Sequence, residues 1–301
     1  MSEVALPYDL LVGTCDAYED TWVPFFTLLQ KYWLDAERLR IILSTEKKAF
    51  SFSNLLIESA QTNLHWHGRH KPWSQIILES LSHIKKPFVL LMLDDYFLTE
   101  HVMQNELSFF TNLMIQRPDW ARIELLPQGI RRGIPDPNDP RIVFITPDEG
   151  CRVNTQAALW RKEILLSILR PHEDPWQFEL RGSIRARRMP YKFARLANGW
   201  NGGKSSSIVT YLAGGGIHQG QWRKEVITLL AREGIVVDYQ QRGIERSISS
   251  SQSQLSNPVI QRRKGIWRIL RRDFLQVVAR KLRGTWSVLL SFNSLGIGRR
   301  A

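Results

Sequence analysis

Two adjacent carboxylates, Asp94 and Asp95, end the most apolar short stretch of the chain, "PFVLLMLDDYFL" at 87–98. Like charges side by side repel, and a cation between them relieves the repulsion. A hard divalent ion such as Mg²⁺ or Mn²⁺, itself holding phosphate oxygens, is the guest this chemistry favours. The plainer alternative is a solvated turn, with Asp95 capping the next helix. A second acidic cluster, "PHEDPWQFE" at 171–179, sets Glu173, Asp174 and Glu179 beside Trp176 and Phe178. An acid in a partly apolar pocket acquires the pKa a general base needs. A loop of solvated acids around one buried Trp would have the same sequence signature.

The elements that must position these groups are visible in the apolar pattern. A buried strand at 10–12 precedes a helix in "EDTWVPFFTLLQKYW", with Pro24 tolerated near its start. A second strand in "RLRIILSTE" ends at Ser44, Thr45 and Glu46, and an amphipathic helix fills 71–86. The run at 88–93 shows no alternation. Such runs, arriving after helices, predict parallel strands covered on both faces, so the first hundred residues read as a βαβαβ half-sheet. Ligands of such sheets bind at the carboxyl ends of the strands, where Asp94 and Asp95 stand. Beyond them, 98–118 predicts a helix, 121–127 a strand, 128–141 a loop and 156–171 one helix stopped by Pro171. "SSIVTYLAGGG" at 206–216 predicts a strand running into a glycine turn, and 220–234 a helix with a glycine stop.

In order and spacing these pieces resemble the GT-A fold of nucleotide-sugar glycosyltransferases, an α/β fold with a mostly parallel sheet flanked by helices. In that family the first strand ends in residues that hold the nucleotide, which the resemblance places at Thr14 and Asp16 of "TCDAYEDTW", with Glu46 after the second strand. "LMLDDYF" resembles the family's acidic metal motif, although Tyr96 stands where a third position would be acidic. The resemblance implies Asp95 on the metal, Mn²⁺ or Mg²⁺, and Asp94 on the ribose. It also implies His218 of "AGGGIHQGQW" as a further metal contact, and Arg69, Trp73 and Ser74 along the donor nucleotide. Glu173 or Asp174, ahead of Glu179, would be the base of an inverting enzyme. "ALWRKEILLSIL" followed by W-x-F-E is similar to bacterial glycosyltransferases of surface-polysaccharide synthesis. That likeness implies a nucleoside-diphosphate sugar donor, UDP-sugar favoured, and a glycan or lipid-linked acceptor.

Rival motifs fit less well. "NGWNGGKS" at 198–205 lacks the first glycine of a P-loop, and the apolar run follows it instead of preceding it. The stretch 208–238 suggests an NAD(P)-type unit, but glycines at 214, 215, 216 and 220 fit no G-x-G-x-x-G register. A nucleotidyltransferase would carry a basic glycine-rich loop where "GTCDAYED" is acidic. His65, His67 and His70 match no zinc spacing.

Composition sets the outer bounds. At 301 residues, 43% hydrophobic and 10% aromatic, the chain can bury a sizeable core. No apolar run approaches the ~20 residues of a spanning helix. The acidic start and two cysteines, Cys15 and Cys151, suit a cytoplasmic chain without a signal peptide. A formal charge of +12 calls for an anionic partner. Much of it lies at 261–284, with nine Lys/Arg against a single Asp273. Written as a helix, 261–284 puts Trp267 and Phe274 opposite the arginines, the pattern of a helix lying on an anionic membrane's inner face. Packing on the catalytic domain is the alternative, and no nucleic-acid module is present. The expected organisation is a catalytic domain at 1–245, a polar linker at 246–260 and a basic tail at 261–301.

Overall fold

The computed structural model describes residues 6–64, 71–127, 133–201 and 206–245. Arg69, the histidines at 65, 67 and 70, the linker 246–260 and the tail 261–301 lie outside the described residues.

Apolar runs long enough to be buried on both faces form the centre of a nine-stranded sheet. In chain order the elements are β1 (Tyr8–Gly13), α1 (Glu19–Tyr32), β2 (Arg40–Leu43), β3 (Leu56–Ser59), α2 (Trp73–His83), β4 (Phe88–Leu93), α3 (Gln104–Gln116), β5 (Trp120–Pro127) and β6 (Ile134–Pro135). They continue with β7 (Ile142–Phe144), β8 (Ala158–Arg161), α4 (Lys162–Ile168), α5 (Pro175–Ala186), β9 (Lys192–Leu196), the two-residue strands β10 (Ile217–His218) and β11 (Gln221–Trp222), and α6 (Lys224–Arg232). The sheet order is β3-β2-β1-β4-β8-β5-β9-β7-β6.

The first four strands are parallel, as the apolar runs predict. The rest of the sheet is mixed. β8 lies antiparallel between β4 and β5, and β7 antiparallel between β6 and β9, while β5 and β9 pair in parallel.

The alternation of strand side chains sorts the core into two layers. Leu10 and Val12 of β1 and Leu90 and Met92 of β4 pack with Trp22, Phe25 and Phe26 of α1 and Phe110 of α3. Leu11, Val89 and Leu91 point the other way, onto Ile77 and Leu81 of α2, Ile164 and Leu165 of α4 and Phe178 of α5. The crossover from β1 to β2 therefore runs over one face, and that from β3 to β4 over the other. The chain reverses its winding between β1 and β4, and in an open α/β sheet a crevice opens at such a point.

Three expected elements are built differently. The stretch 156–171 is not one helix: Ala158–Arg161 enters the sheet as β8 and only Lys162–Ile168 is helical. Residues 171–179 are not a loop of acids, because Pro175 opens α5. The run at 208–212 forms no strand. Ile208 and Val209 are buried, Ile208 N–H donates to Leu125 O at 2.8 Å, and a single bridge joins Tyr211 to Leu98. With 235–238 also outside any strand, no dinucleotide-binding βαβ unit exists at 208–238.

Candidate active site

The crevice between β1 and β4 is a cleft of about 410 Å³. Its lining includes Gly13, Thr14 and Cys15 after β1, Glu46 after β2, Lys71, Trp73 and Ile76 at the start of α2, Asp94 and Asp95 after β4, and Pro175 and Ile217. Five of the site residues expected from sequence thus meet in one place: Thr14, Glu46, Trp73, Asp94 and Asp95.

Asp94 continues the alternation of β4 and turns toward α1, where it is buried. Its Oδ2 sits against the Thr14 hydroxyl and 2.8 Å from Thr21 Oγ1. Trp22 Nε1 donates to Thr14 Oγ1 at 2.8 Å, which fixes that hydroxyl. Burial, then the neighbouring Asp95 charge, pushes the Asp94 carboxyl up to about 8, while the two threonines and Arg242 pull it down. The Asp95 carboxyl is raised too, chiefly by desolvation. Its Oδ2 accepts the backbone N–H groups of Gly216 and Ile217, each at 3.2 Å. The glycines of 214–216 therefore wrap a carboxylate rather than a phosphate. Gly215 has φ +77° and a Cβ there would overlap Asp95 Oδ2, so the wrap requires glycine.

Cations stand around the pair. Arg223 donates to the carbonyls of Ala213 at 2.6 Å and Gly215 at 2.8 Å, bracing the glycine loop. Arg242 is held by Asp20 at 2.9 and 2.5 Å and lies 4.2 Å over the Tyr18 ring. Lys71 meets the Thr62 carbonyl and Glu79, the latter at 2.5 Å.

The residues fit a divalent cation in one sense. Two adjacent carboxylates that desolvation pushes toward their neutral forms gain most from a positive charge, and Mg²⁺ commonly takes one or two carboxylates plus substrate phosphates. Among the described residues no three His, Cys, Asp or Glu side chains converge as a ligand set. His218 is not among the residues lining the cleft. It is half exposed and its Nδ1 lies 2.7 Å from Glu245 Oε1.

Asp16, Glu46 and Ser74 also make contacts within the fold. Asp16 accepts the backbone N–H groups of Glu46 at 2.8 Å, Lys47 at 2.9 Å and Lys48 at 3.2 Å, so its carboxylate shapes the loop after β2. Glu46 returns the contact, accepting Asp16 N–H at 3.3 Å and Asn63 Nδ2 at 3.0 Å. Ser74 is buried behind Trp73, with its N–H on the Glu173 carbonyl at 3.0 Å.

The three acids of 173–179 each have a partner. Glu173 is buried in a two-pronged pair with Arg185, at 2.8 and 2.5 Å. Asp174 is the N-cap of α5 and accepts Gln177 N–H at 2.7 Å, while Gln177 Oε1 accepts Asp174 N–H at 3.2 Å. Glu179 Oε1 accepts Thr155 N–H at 2.9 Å and its hydroxyl at 3.0 Å.

Sequence reading passed over Thr21, Tyr18, Lys71 and Arg242. Lys71 shares a tetrapeptide with Trp73 and Ser74, and its charge beside a helix-opening Pro was the available signal. Nothing local announces Arg242, which reaches Asp20 from the far end of the domain.

No protein-family model matches the chain, and no curated protein matches it. Among solved structures it is similar to two crystal structures of S. aureus TarS, each at 11% identity over 64% of this chain. The TM-scores are 0.41 for TarS 1-349 and 0.42 for the other. The chain spans 57% and 35% of their lengths, less than two thirds of either, so the likeness is one of chain path alone.

Proposed function

We propose that this chain is a glycosyltransferase of GT-A type that moves a sugar from a nucleoside-diphosphate donor, a UDP-sugar by preference, to a hydroxyl of a glycan or lipid-linked acceptor. The observation that carries the reading is the cleft at the winding reversal between β1 and β4, floored by Asp94 and Asp95. The nucleoside would lie across Thr14, Tyr18, Glu46 and Trp73, and the diphosphate toward Lys71 and the aspartate pair. Mn²⁺ or Mg²⁺, held by Asp95 and Asp94, would neutralise charge on the departing diphosphate. Asp94 would hold the cation as a carboxylate, its proton released to solvent, with Thr14 and Thr21 keeping it in orientation. The α2 N-terminus, bordering the cleft through Trp73 and Ile76, adds a favourable dipole for phosphate.

For the base, Glu179 suits the role better than Glu173 or Asp174. Both of its hydrogen bonds fall on Oε1, and its charge reaches Tyr96, the residue after the aspartate pair. Direct displacement with Glu179 as base would invert the anomeric centre. The described helices include none long and apolar enough to cross a membrane. We place the enzyme in the cytoplasm, on the inner face of the membrane.

Calorimetry with UDP, GDP, CMP and TDP, with and without Mn²⁺, tests the reading. Binding of one nucleotide, strengthened by Mn²⁺ and lost in Asp95→Asn, is expected. Failure of all four to bind sinks it, and metal-independent binding that survives Asp95→Asn would make the chain a nucleotide-binding protein of another kind.

A further inference from the structure

The outer face of α5 carries large exposed apolar side chains. Trp176, 63% exposed, opens it, and Leu180 and Ile184 follow at four-residue spacing, Ile184 exposed at 43% and Leu180 half-buried. Residues four apart stack on one side of a helix, so these three form a continuous apolar stripe facing away from the core. The opposite side of the same helix, Phe178, Gly182 and Ala186, is buried. A large exposed Trp is uncommon, because its ring is usually the most valuable area to bury. Here the capping box at Asp174 and the Pro175 ring fix the helix start, so Trp176 is held outward by rigid backbone.

Within 175–188 the charges that reach solvent are basic; the exposed acids nearby are Asp174, held as the α5 N-cap, and Asp148. On the helical projection Arg181 falls about 60° from Ile184, on the side away from Trp176, and Arg187 and Arg188 directly follow the last helical residue, Ala186. Arg187 and Arg188 are exposed and Arg181 half-buried; Arg187 also donates to the Asp148 carbonyl at 3.5 Å. From 175 to 188 the single carboxylate is Glu179, which is buried and bonded inward to Thr155. An apolar stripe with Trp beside three Arg matches in charge the boundary between anionic headgroups and acyl chains. A soluble polyanion would use the arginines alone and leave Trp176 in water.

We infer that the outer face of α5 is a docking surface for an anionic lipid bilayer, with Trp176 and Ile184 entering the headgroup boundary and Arg181, Arg187 and Arg188 on the phosphates. Pro175, next to Trp176, lines the cleft, so the docked chain holds its cleft beside the lipid surface. This contact is distinct from the basic segment 261–284 and does not depend on which reaction the cleft performs.

The test uses the full chain with large unilamellar vesicles, either pure phosphatidylcholine or phosphatidylcholine mixed with phosphatidylglycerol. Co-sedimentation should detect binding to the anionic vesicles only. Arg181→Gln/Arg187→Gln/Arg188→Gln should weaken partitioning on the order of 100-fold, since each cation near such a surface counts for about a factor of five. Trp176→Ala should weaken it about tenfold through lost apolar insertion. Brominated lipid should quench a component of the tryptophan emission that is absent in Trp176→Phe. Unchanged melting of each variant would verify the fold. Undiminished vesicle binding by the triple-arginine variant, with 261–284 intact, would overturn the inference and assign membrane contact to that segment. Binding that needs the arginines but ignores Trp176, and that inorganic polyphosphate reproduces, would overturn it in favour of a soluble polyanion.

Discussion

Thr21 and Asp94 share a proton economy. Thr21 has one hydroxyl hydrogen and two acceptors in reach, the Tyr18 carbonyl at 2.6 Å and Asp94 Oδ2 at 2.8 Å. A protonated Asp94 resolves the competition by donating to Thr21 while Thr21 donates to Tyr18. That arrangement accords with a carboxyl pushed up to about 8.

A pH dependence of stability follows. Unfolded, Asp94 titrates near 4; folded, it holds its proton to about 8. Between those values the native state binds more protons than the unfolded one, so stability is greatest below pH 4 for this group and falls as pH rises toward 8. The slope is at most about 1.4 kcal/mol per pH unit. Urea unfolding of chelator-treated protein should show Asp94→Asn gaining on the wild type steadily from pH 5 to 8. A constant difference across that range would contradict it.

Gly215 and Gly220 separate strain from contact. Both have positive φ, +77° and +80°, but a Cβ on Gly220 meets nothing, whereas one on Gly215 collides with Asp95. Gly220→Ala should cost about 1–2 kcal/mol, the left-handed penalty alone. Gly215→Ala should cost clearly more and abolish Mn²⁺-dependent nucleotide binding, which Gly220→Ala should leave intact. Equal effects in melting and calorimetry would refute the wrap around Asp95.

Glu173 and Arg185 differ in their access to water. The carboxylate is almost wholly buried, while the Arg185 side chain is 22% exposed. Arg185→Met strands a buried charge and should cost about 3–5 kcal/mol; Glu173→Gln leaves a guanidinium that can reach solvent and should cost less. Chemical denaturation of both variants checks the order. If Glu173→Gln instead leaves stability unchanged and removes transfer activity, Glu173 is the base.

Asp174 is expected to matter through α5 alone. Asp174→Ala should lower stability by about 1 kcal/mol and Asp174→Asn by much less, since Asn also caps. Transferase assays should find both variants active. Loss of turnover in Asp174→Asn with normal melting would return it to the list of bases.

The sequence made the first half of the sheet legible, for a physical reason. β1, β2 and β4 are central and parallel, so both faces are apolar and the runs stand out, and Asp94 and Asp95 mark the end of one. At Trp160–Lys162 the chain passes from β8 into α4 with no Gly or Pro, and Arg161, Lys162 and Glu163 are as compatible with a helix surface as with a turn, so the stretch reads as one helix. Ile208 and Val209 are apolar because they plug the core, and burial alone does not make a strand without a partner edge. The acids at 173 and 174 looked catalytic because a capping box and a buried ion pair use the same residue types as a base. Lys192–Leu196, with Lys and Arg among five residues, hid β9: Arg195 is buried, and no pattern in the chain announces that.

β8 has a consequence for how the chain must be made. It fills the place between β4 and β5 although it follows β5 in sequence. While the ribosome adds residues 94 to 158, on the order of ten seconds at ~5–20 residues per second, "FVLLML" is a bare, flat edge of a nascent sheet. Such an edge pairs readily with another like itself. Yield on expression should therefore hinge on the arrival of four residues, Ala158–Arg161, and strand-breaking changes there should send the chain to aggregates while its first four strands remain able to form.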